Sequence, residues 1–208
     1  MNNYNTQVLE RCKTVIENHK INITEDDVFQ FLKIRKRWPV RYREINIPSV
    51  EVITQGHSVE QHNYICGPDN FLDFNLVMKY YDLGYTILLS DVLDLTEELR
   101  SLENKLTDMT GNFPIHANFY FGKAIRDIRP SFEYHAHDYN VISKQIYGTN
   151  YWVINDEQIT VEKNKAIKIP KNTNHMVYHS EVKTKISKNY CGARIIFKSY
   201  SNFIRDIT

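Results

Sequence analysis

The second half of this 208-residue chain consists of short apolar runs separated by turn signals. The runs lie at 115–121, 131–137, 140–146, 151–154, 158–161, 166–169, 176–179 and 193–200. Glycine, an Arg-Pro pair, and Asn-Asp or Lys-Asn pairs separate them. About eight short strands with this spacing are typical of a small sandwich or barrel. We therefore predict that residues 111–208 form an all-β unit.

The first half mixes helical patterns with short extended pieces. Apolar residues recur at helical spacing within 8–16, 26–38, 71–82 and 95–106. A reciprocal cap over residues 94–97 would start the last of these helices. Tyr85–Leu89 is typical of a buried strand. Since no linker or repeat separates the halves, we expect one domain over residues 1–208, with a helical region and entry strand in 1–110.

Composition excludes several classes of protein. Lys and Arg total 26 against 25 Asp and Glu, a net charge of +1, which argues against binding to nucleic acid or membranes by bulk charge. The apolar runs are too short to span a membrane, and the N-terminus shows no signal-peptide pattern. Cys12, Cys66 and Cys191 form no CxxC motif, which favours a reducing compartment. We therefore expect a cytoplasmic location.

Asparagine is abundant, with 20 residues against 7 glycines. Asn adopts the left-handed backbone conformation more readily than most other non-glycine residues. We therefore predict that asparagines occupy turn positions where glycine would otherwise be needed.

Four of the eight histidines lie in two short segments, His135-Ala-His137 and 175–179. Residues two apart on a strand face the same side, so the first two imidazoles can meet, and a neighbouring strand can bring His175 to them. Three imidazoles would leave open positions on Fe(II), Mn(II), Zn(II) or Ni(II). Asp138 would face the opposite side, and His179 would lie ~13 Å further along. Histidines at this spacing also occur as surface or barrel residues without a metal.

Two segments resemble the motifs of cupins. In 164–175 a turn residue, an apolar strand, Pro170, the turn residue Asn172 and His175 follow in the order of the second cupin motif. His135-Ala-His137, followed by Gly148, resembles the first motif without its Glu.

Residues 72–200 more specifically resemble JmjC-type cupin oxygenases, especially the ribosomal oxygenases. The matching pieces are 82–89, 95–109, 118–121, 135–142, 148–152 and 169–175. The resemblance implies a mainly β fold with N-terminal helices, a double-stranded β-helix or jelly roll. It also implies Fe(II) held by His135, His137 and His175, and the use of 2-oxoglutarate and O₂ to hydroxylate proteins or small molecules.

Two residues depart from this family. His137 stands where the family has its carboxylate ligand, which would leave the iron one unit more positive. Asn150 stands where a Lys or Arg pairs with the distal carboxylate of 2-oxoglutarate, and an amide supplies no charge. Lys144, Arg194 or Lys198 could replace that charge. Lys144 points outward, however, if its neighbours point inward, and Arg194 is explained somewhat better as an ion pair at the barrel rim.

Other polar residues could line the barrel. Tyr120, Tyr134, Ser143 and Asn150 could donate hydrogen bonds to a cofactor, or pack without one. Trp152 is most simply a core residue. No catalytic group beyond the metal ligands is predicted.

The sequence leaves three functions open. The first is a mononuclear non-haem iron hydroxylase that depends on 2-oxoglutarate, with a small molecule, peptide or protein as substrate. The second is a three-His cupin dioxygenase, lyase or isomerase that does not use 2-oxoglutarate. The third is a non-catalytic metal-binding cupin, and a homodimer is compatible with each. The basic cluster Lys33–Arg43 could contact nucleic acid or an acidic protein, but is explained more simply as a solvated helix face.

Overall fold

The computed structural model describes residues 2–34, 50–54, 57–58, 65–69, 71–90, 92–111, 115–123, 132–178 and 191–199. At 2–6, 54, 57–58, 94, 178 and 191–199 it describes the backbone only. Four helices lie in these ranges, and a short 3₁₀ helix precedes the fourth. They are α1 (Asn2–Asn18), α2 (Glu25–Lys33), α3 (Phe74–Asp82), the 3₁₀ helix (Val92–Asp94) and α4 (Glu97–Met109).

Eleven described strands form two antiparallel sheets. The strands are β1 (Val50–Thr54), β2 (His57–Ser58), β3 (Thr86–Leu89), β4 (Ile115–Lys123), β5 (Phe132–His135), β6 (Asn140–Tyr147), β7 (Asn150–Ile154), β8 (Glu157–Val161), β9 (Ala166–Ile169), β10 (His175–Tyr178) and β11 (Cys191–Ser199). The larger sheet has the order β2-β1-β3-β4-β11-β6-β9, and the smaller has the order β5-β10-β7-β8.

The order of the last eight strands defines the fold. From β4 onward the chain passes back and forth between the sheets, so that β4, β11, β6 and β9 lie side by side in one sheet and β5, β10, β7 and β8 in the other. This is the strand order of a double-stranded β-helix, the jelly roll of the cupins. The predicted mainly β cupin fold with N-terminal helices is therefore confirmed, and each of the eight predicted runs overlaps one of these strands.

Side chains alternate across the larger sheet and so build two cores. On β4, Phe119 and Phe121 pack in the cluster that the sheet shares with the helices. Tyr120, between them, packs in the second cluster, which lies between the two sheets and also contains Trp152 and Val177. This second cluster is the interior of the barrel. The predicted entry strand at 85–89 is β3, which pairs with β4 and extends the larger sheet.

The helices begin at polar caps. Thr24 and Asp27 form a capping box at α2, and the Asp73 side chain accepts hydrogen bonds from two backbone N–H groups at the start of α3. The predicted cap of α4 was wrong in position. Residues 92–94 form the 3₁₀ helix, and Thr96 instead accepts a hydrogen bond from the backbone N–H of Leu99.

Three asparagines occupy left-handed turn positions. Asn155, Asn164 and Asn172 have φ values of 48°, 67° and 60°. The expectation that asparagine replaces glycine in turns is confirmed at these positions, and Asn172 matters for the site below.

Two sequence features lie at the edge of what is described. Of the basic cluster, only residues 33 and 34 belong to the described part, and Lys33 Nζ lies 5.2 Å from the ring centroid of Phe74. Cys12 and Cys66 are buried free thiols. Within the described residues, the helices are too short or too polar to span a bilayer.

Candidate metal centre

Three histidines meet at one end of the barrel. The nearest ring nitrogens of His135, His137 and His175 all lie within 4.8 Å of one another. Their ring centroids are 4.5 Å apart for His135 and His175, 4.8 Å for His135 and His137, and 5.1 Å for His137 and His175. His175 is buried and the other two are partly buried. One imidazole is thus enclosed, while the other two keep partial access to solvent.

Two of these histidines face each other across paired strands. His175, the first residue of β10, lies opposite His135, the last residue of β5. His137 was expected on the same strand as His135, but β5 ends before it. It is held instead by the turn at 171–172, where the backbone N–H of Asn172 donates to the carbonyl of His137 at 2.6 Å. The positive φ of Asn172 shapes that turn.

Backbone carbonyls fix the orientation of two imidazoles. The Nδ1 of His135 lies 2.6 Å from the carbonyl oxygen of Glu133, and the Nδ1 of His175 lies 2.8 Å from that of Thr173. A carbonyl oxygen can only accept, so each Nδ1 carries the proton and each Nε2 keeps its lone pair. This is how proteins commonly orient metal-binding histidines. The donor set therefore fits a divalent cation of the Fe(II), Mn(II), Zn(II) or Ni(II) type.

An aromatic side chain supports the third imidazole. The ring of Tyr139 stacks on His137, with centroids 4.6 Å apart and planes 11° from parallel. Tyr139 also packs against the cluster between the sheets. It thereby links His137, which lies outside regular structure, to the barrel interior.

The first-choice ligands are all neutral. Asp138, which was expected to face the opposite side of the strand, is exposed and is not part of the three-histidine group. His179 lies outside the described residues. A divalent ion bound by three neutral imidazoles would keep its full double charge, which favours an anionic ligand in its open positions.

Below the three histidines, the barrel interior is lined by buried side chains of mixed polarity. Trp152 is 1% exposed, and its ring lies 6.0 Å from that of His175. Tyr120 and Ser143 are also buried. Ser143 faces the interior, because Ile167, directly opposite on β9, packs in the cluster between the sheets. The Tyr120 hydroxyl lies 3.5 Å from the amide nitrogen of Asn118.

Among the described side chains, Asn150 is the most enclosed polar group of the interior. It is 0% exposed, and among the described residues neither its Oδ1 nor its Nδ2 has a hydrogen-bond partner. It shares a face with Trp152, and it lies opposite Val161, a member of the cluster between the sheets. Ile154, on the same strand, pairs with His175, so Asn150 lies ~13 Å along the strand from the level of the metal ligands.

Lys144 does not reach the barrel interior, so its assignment to cofactor binding was wrong. Its Nζ donates hydrogen bonds to the carbonyls of Ile16, Glu17 and His19 at 2.9, 2.9 and 2.6 Å. These carbonyls end α1 on the outer face of the larger sheet. The residue is 1% exposed, and this burial lowers the pKa of its ammonium group, while Glu17 acts in the opposite direction.

Two further predicted residues lie elsewhere or cannot be placed. Tyr134 is 41% exposed and its hydroxyl bonds Asp156, so it does not line the barrel. The backbone of Arg194 pairs with Tyr120 on β4 and Gln145 on β6, and its side chain lies outside the described part.

Sequence reasoning missed the residues that support the site. Tyr139 follows His137 at the i+2 position, and this aromatic so near a histidine was the available signal. The carbonyls of Glu133 and Thr173 carry no signal in side-chain identity, since every residue has a carbonyl. The two carbonyls share only their position, which in each case is two residues before a histidine.

No protein-family model and no curated protein matches this sequence. Solved structures similar to the chain include the ribosomal oxygenase YcfD from Escherichia coli, at 14% identity and a TM-score of 0.48, covering 86% of this chain and 45% of that one. A cupin 2 conserved barrel domain protein from Leptotrichia buccalis has 9% identity and a TM-score of 0.31, over 41% and 35% of the two chains. A structure of the DMSP lyases RdDddP and RnDddQII has 11% identity and a TM-score of 0.33, over 44% and 42%. The chain thus spans less than half the length of each of these proteins, and its fold is defined by its own strand order.

Proposed function

We propose that this protein is a mononuclear non-haem iron oxygenase of the JmjC-cupin type, in which a 2-oxo acid chelates the metal from within the barrel. The observation that supports it best is the convergence of three imidazoles within 4.8 Å at one end of the barrel. Two of them have their Nδ1 protons committed to carbonyls. A hydroxylase that depends on 2-oxoglutarate is the first form of this proposal.

The metal would be held by His135, His137 and His175. Bound Fe(II) supplies the activation of O₂ beside a chelating organic acid. Three protein ligands leave up to three positions for these partners in octahedral geometry. The residues therefore fit the ion in donor type and number.

The other residues of the site position the ligands and exclude water. The carbonyls of Glu133 and Thr173 hold two imidazoles in the tautomer that leaves Nε2 available. Trp152 is buried beside His175, with ring centroids 6.0 Å apart, and helps to exclude water from that imidazole. Tyr120 and Ser143 offer hydroxyl groups to a ligand that enters the interior.

Among the described side chains, none supplies a cation inside the barrel for the distal carboxylate of 2-oxoglutarate. Asn150, at the expected position of the pairing cation, is a neutral amide, and Lys144 is bound to α1. These observations favour a second candidate, a three-His cupin that binds and activates its substrate directly on the metal. The substrate in either case is proposed to be a small molecule or a peptide.

Anaerobic titration separates the candidates. Fe(II) is added first, with calorimetry to measure metal binding, and 2-oxoglutarate second, with visible spectroscopy to detect the weak charge-transfer band of a chelated 2-oxo acid. A band supports the first candidate. Metal binding without a band favours direct substrate activation. Absence of metal affinity would contradict both and leave a non-catalytic cupin.

A further inference from the structure

The described interior of the barrel lacks a cation that could face a carboxylate. Three lysines with described side chains lie on the barrel strands, and each is bound on the helical side of the larger sheet. Lys123 pairs with Asp82 of α3, Lys144 binds the carbonyls at the end of α1, and Lys168 pairs with Glu10 of α1. A carboxylate taken into this interior would lose its hydration without an opposite described charge nearby.

Asn150 presents an unused donor and an unused acceptor to this interior. The residue is 0% exposed, and within the described part of the chain both polar atoms of its amide lack a partner. Buried polar groups are normally hydrogen-bonded, and one left unpaired is costly. A single ligand group can pair with both atoms of this amide only if it both donates and accepts. A carboxylate could accept from Nδ2, but its oxygens would repel Oδ1.

We propose that Asn150 determines ligand specificity by binding the end of the ligand furthest from the metal, and that it selects a neutral end that both donates and accepts, such as a primary carboxamide, over a carboxylate. This inference rests on the metal centre of the proposed function. The expected ligand is then a 2-oxo acid that carries one negative charge and a polar neutral end, and not a dianion such as 2-oxoglutarate. The chelating end of the ligand supplies the negative charge that the metal attracts, and the Asn150 amide hydrogen-bonds the other end.

The register supports a ligand that spans from the metal to Asn150. Ile154, opposite His175, marks the level of the metal ligands on β7, and Trp152 and Asn150 follow on the same face. The separation along the strand is ~13 Å, so the ligand must be long enough to reach from the metal towards this level of the barrel.

Two probes that differ only at the far end test the proposal. N-oxalylglycine and N-oxalylglycinamide have the same chelating oxalyl group and end in a carboxylate and a carboxamide, respectively. Each is titrated anaerobically into the full chain loaded with Fe(II), and calorimetry measures its dissociation constant. Because neither probe needs to react, the readout does not depend on activity. We expect the carboxamide to bind at least about tenfold more tightly, since both atoms of Asn150 are then paired.

Variants of Asn150 should change this preference to different extents. Asn150→Leu should remove it, and Asn150→Arg should reverse it by supplying a cation for the carboxylate. Asn75→Leu, at an exposed position of α3, is the control and should leave both affinities unchanged. An unchanged affinity of each variant for Fe(II) alone shows that the site is still folded.

Three results would overturn the inference. Equal affinity for the two probes would show that Asn150 does not distinguish a carboxamide end from a carboxylate end. Preference for the carboxylate, lost in Arg194→Gln, would show that Arg194 supplies the charge that the described interior lacks. Absence of Fe(II) binding in the first titration would remove the proposed function and this inference with it, and is distinguished because it precedes any probe.

Discussion

His135 and His175 lie directly opposite each other on neighbouring antiparallel strands, and their ring centroids are 4.5 Å apart. Each ring also places its Nδ1 within hydrogen-bond distance of the carbonyl two residues earlier in the chain. The two rings are thus positioned by strand pairing and by the main chain. A metal site built in this way requires both imidazoles but little from the identity of the neighbouring side chains.

His175→Ala should therefore abolish metal binding. It removes one of three donors and leaves two that cannot complete the site, so we expect at least a ~100-fold loss of affinity for Fe(II) or Zn(II), measured by calorimetry. His179→Ala is the control, because the sequence pattern predicts that an extended strand would carry this residue ~13 Å beyond His175. Equal losses in the two variants would mean that the wrong imidazole has been assigned to the metal.

Tyr139 should contribute to metal affinity through His137. Tyr139→Leu removes the ring that stacks on this imidazole at 4.6 Å, and groups that orient a ligand are typically worth about 10- to 100-fold in affinity. Tyr139→Phe keeps the ring and should bind the metal nearly as well as the native protein. If the Phe variant is as weak as the Leu variant, the hydroxyl and not the stacking is what matters.

Replacing one of the three imidazoles by a carboxylate should change which metal ions and ligands the site prefers. In His137→Asp a carboxylate replaces an imidazole and lowers the charge of the site by one unit. Hard cations prefer oxygen donors, so the affinity for Mn(II) should rise relative to that for Zn(II), while anionic ligands should bind more weakly. His137→Asn, which adds no charge, is the control. New or faster turnover of 2-oxoglutarate in the Asp variant would indicate that the native site has diverged from that chemistry.

Lys144 should stabilise the docking of α1 on the barrel. Lys144→Met leaves three carbonyls at the end of the helix without their donor, and we expect the free energy of unfolding to fall by about 2 kcal/mol. Lys168→Met, which removes an ion pair with the half-exposed Glu10 of the same helix, should cost less than about 1 kcal/mol. Chemical denaturation measures both. Similar losses would show that Lys144 acts as an ordinary surface charge.

The strands were predictable because their signal is local. Alternating apolar residues identify each strand of the barrel, and an asparagine that adopts positive φ, such as Asn155 or Asn164, ends one strand and starts the next. The meeting of His135 with His175 was also predictable, since it requires only that two strands in a barrel become neighbours.

The remaining features depend on contacts between distant residues. Alternation along the strand indicates that Lys144 points outward, but it does not reveal the carbonyls more than a hundred positions earlier in the chain that Lys144 binds. His137 lies beyond the end of β5, where its carbonyl accepts a hydrogen bond from the backbone N–H of Asn172. That the amide of Asn150 has no hydrogen-bond partner among the described residues is evident only from the three-dimensional structure.

The stability of the packing of α1 on the barrel should depend on pH through Glu17. Its pKa is lowered from the ordinary value of 4.5, first by a hydrogen bond from Lys13 and then, against some desolvation, by the charges of Lys13 and Lys165. Because the folded state binds the proton less tightly than the unfolded state, ionised Glu17 contributes stability that is complete above the unfolded pKa and is lost as the pH falls through the lowered folded pKa. The difference in unfolding free energy between the native protein and Glu17→Gln should therefore be constant near neutral pH and shrink below about pH 4.5.

Denaturation with urea at a series of pH values measures this difference. Lys13→Met should reduce its pH-dependent part, because it removes the hydrogen bond that contributes most to the shift. A difference that stays constant through the acidic range would show that Glu17 has the same pKa in the folded and unfolded states. In that case the ion pairs with Lys13 and Lys165 would not stabilise the end of α1, and the hydrogen bonds of Lys144 would account for the dock.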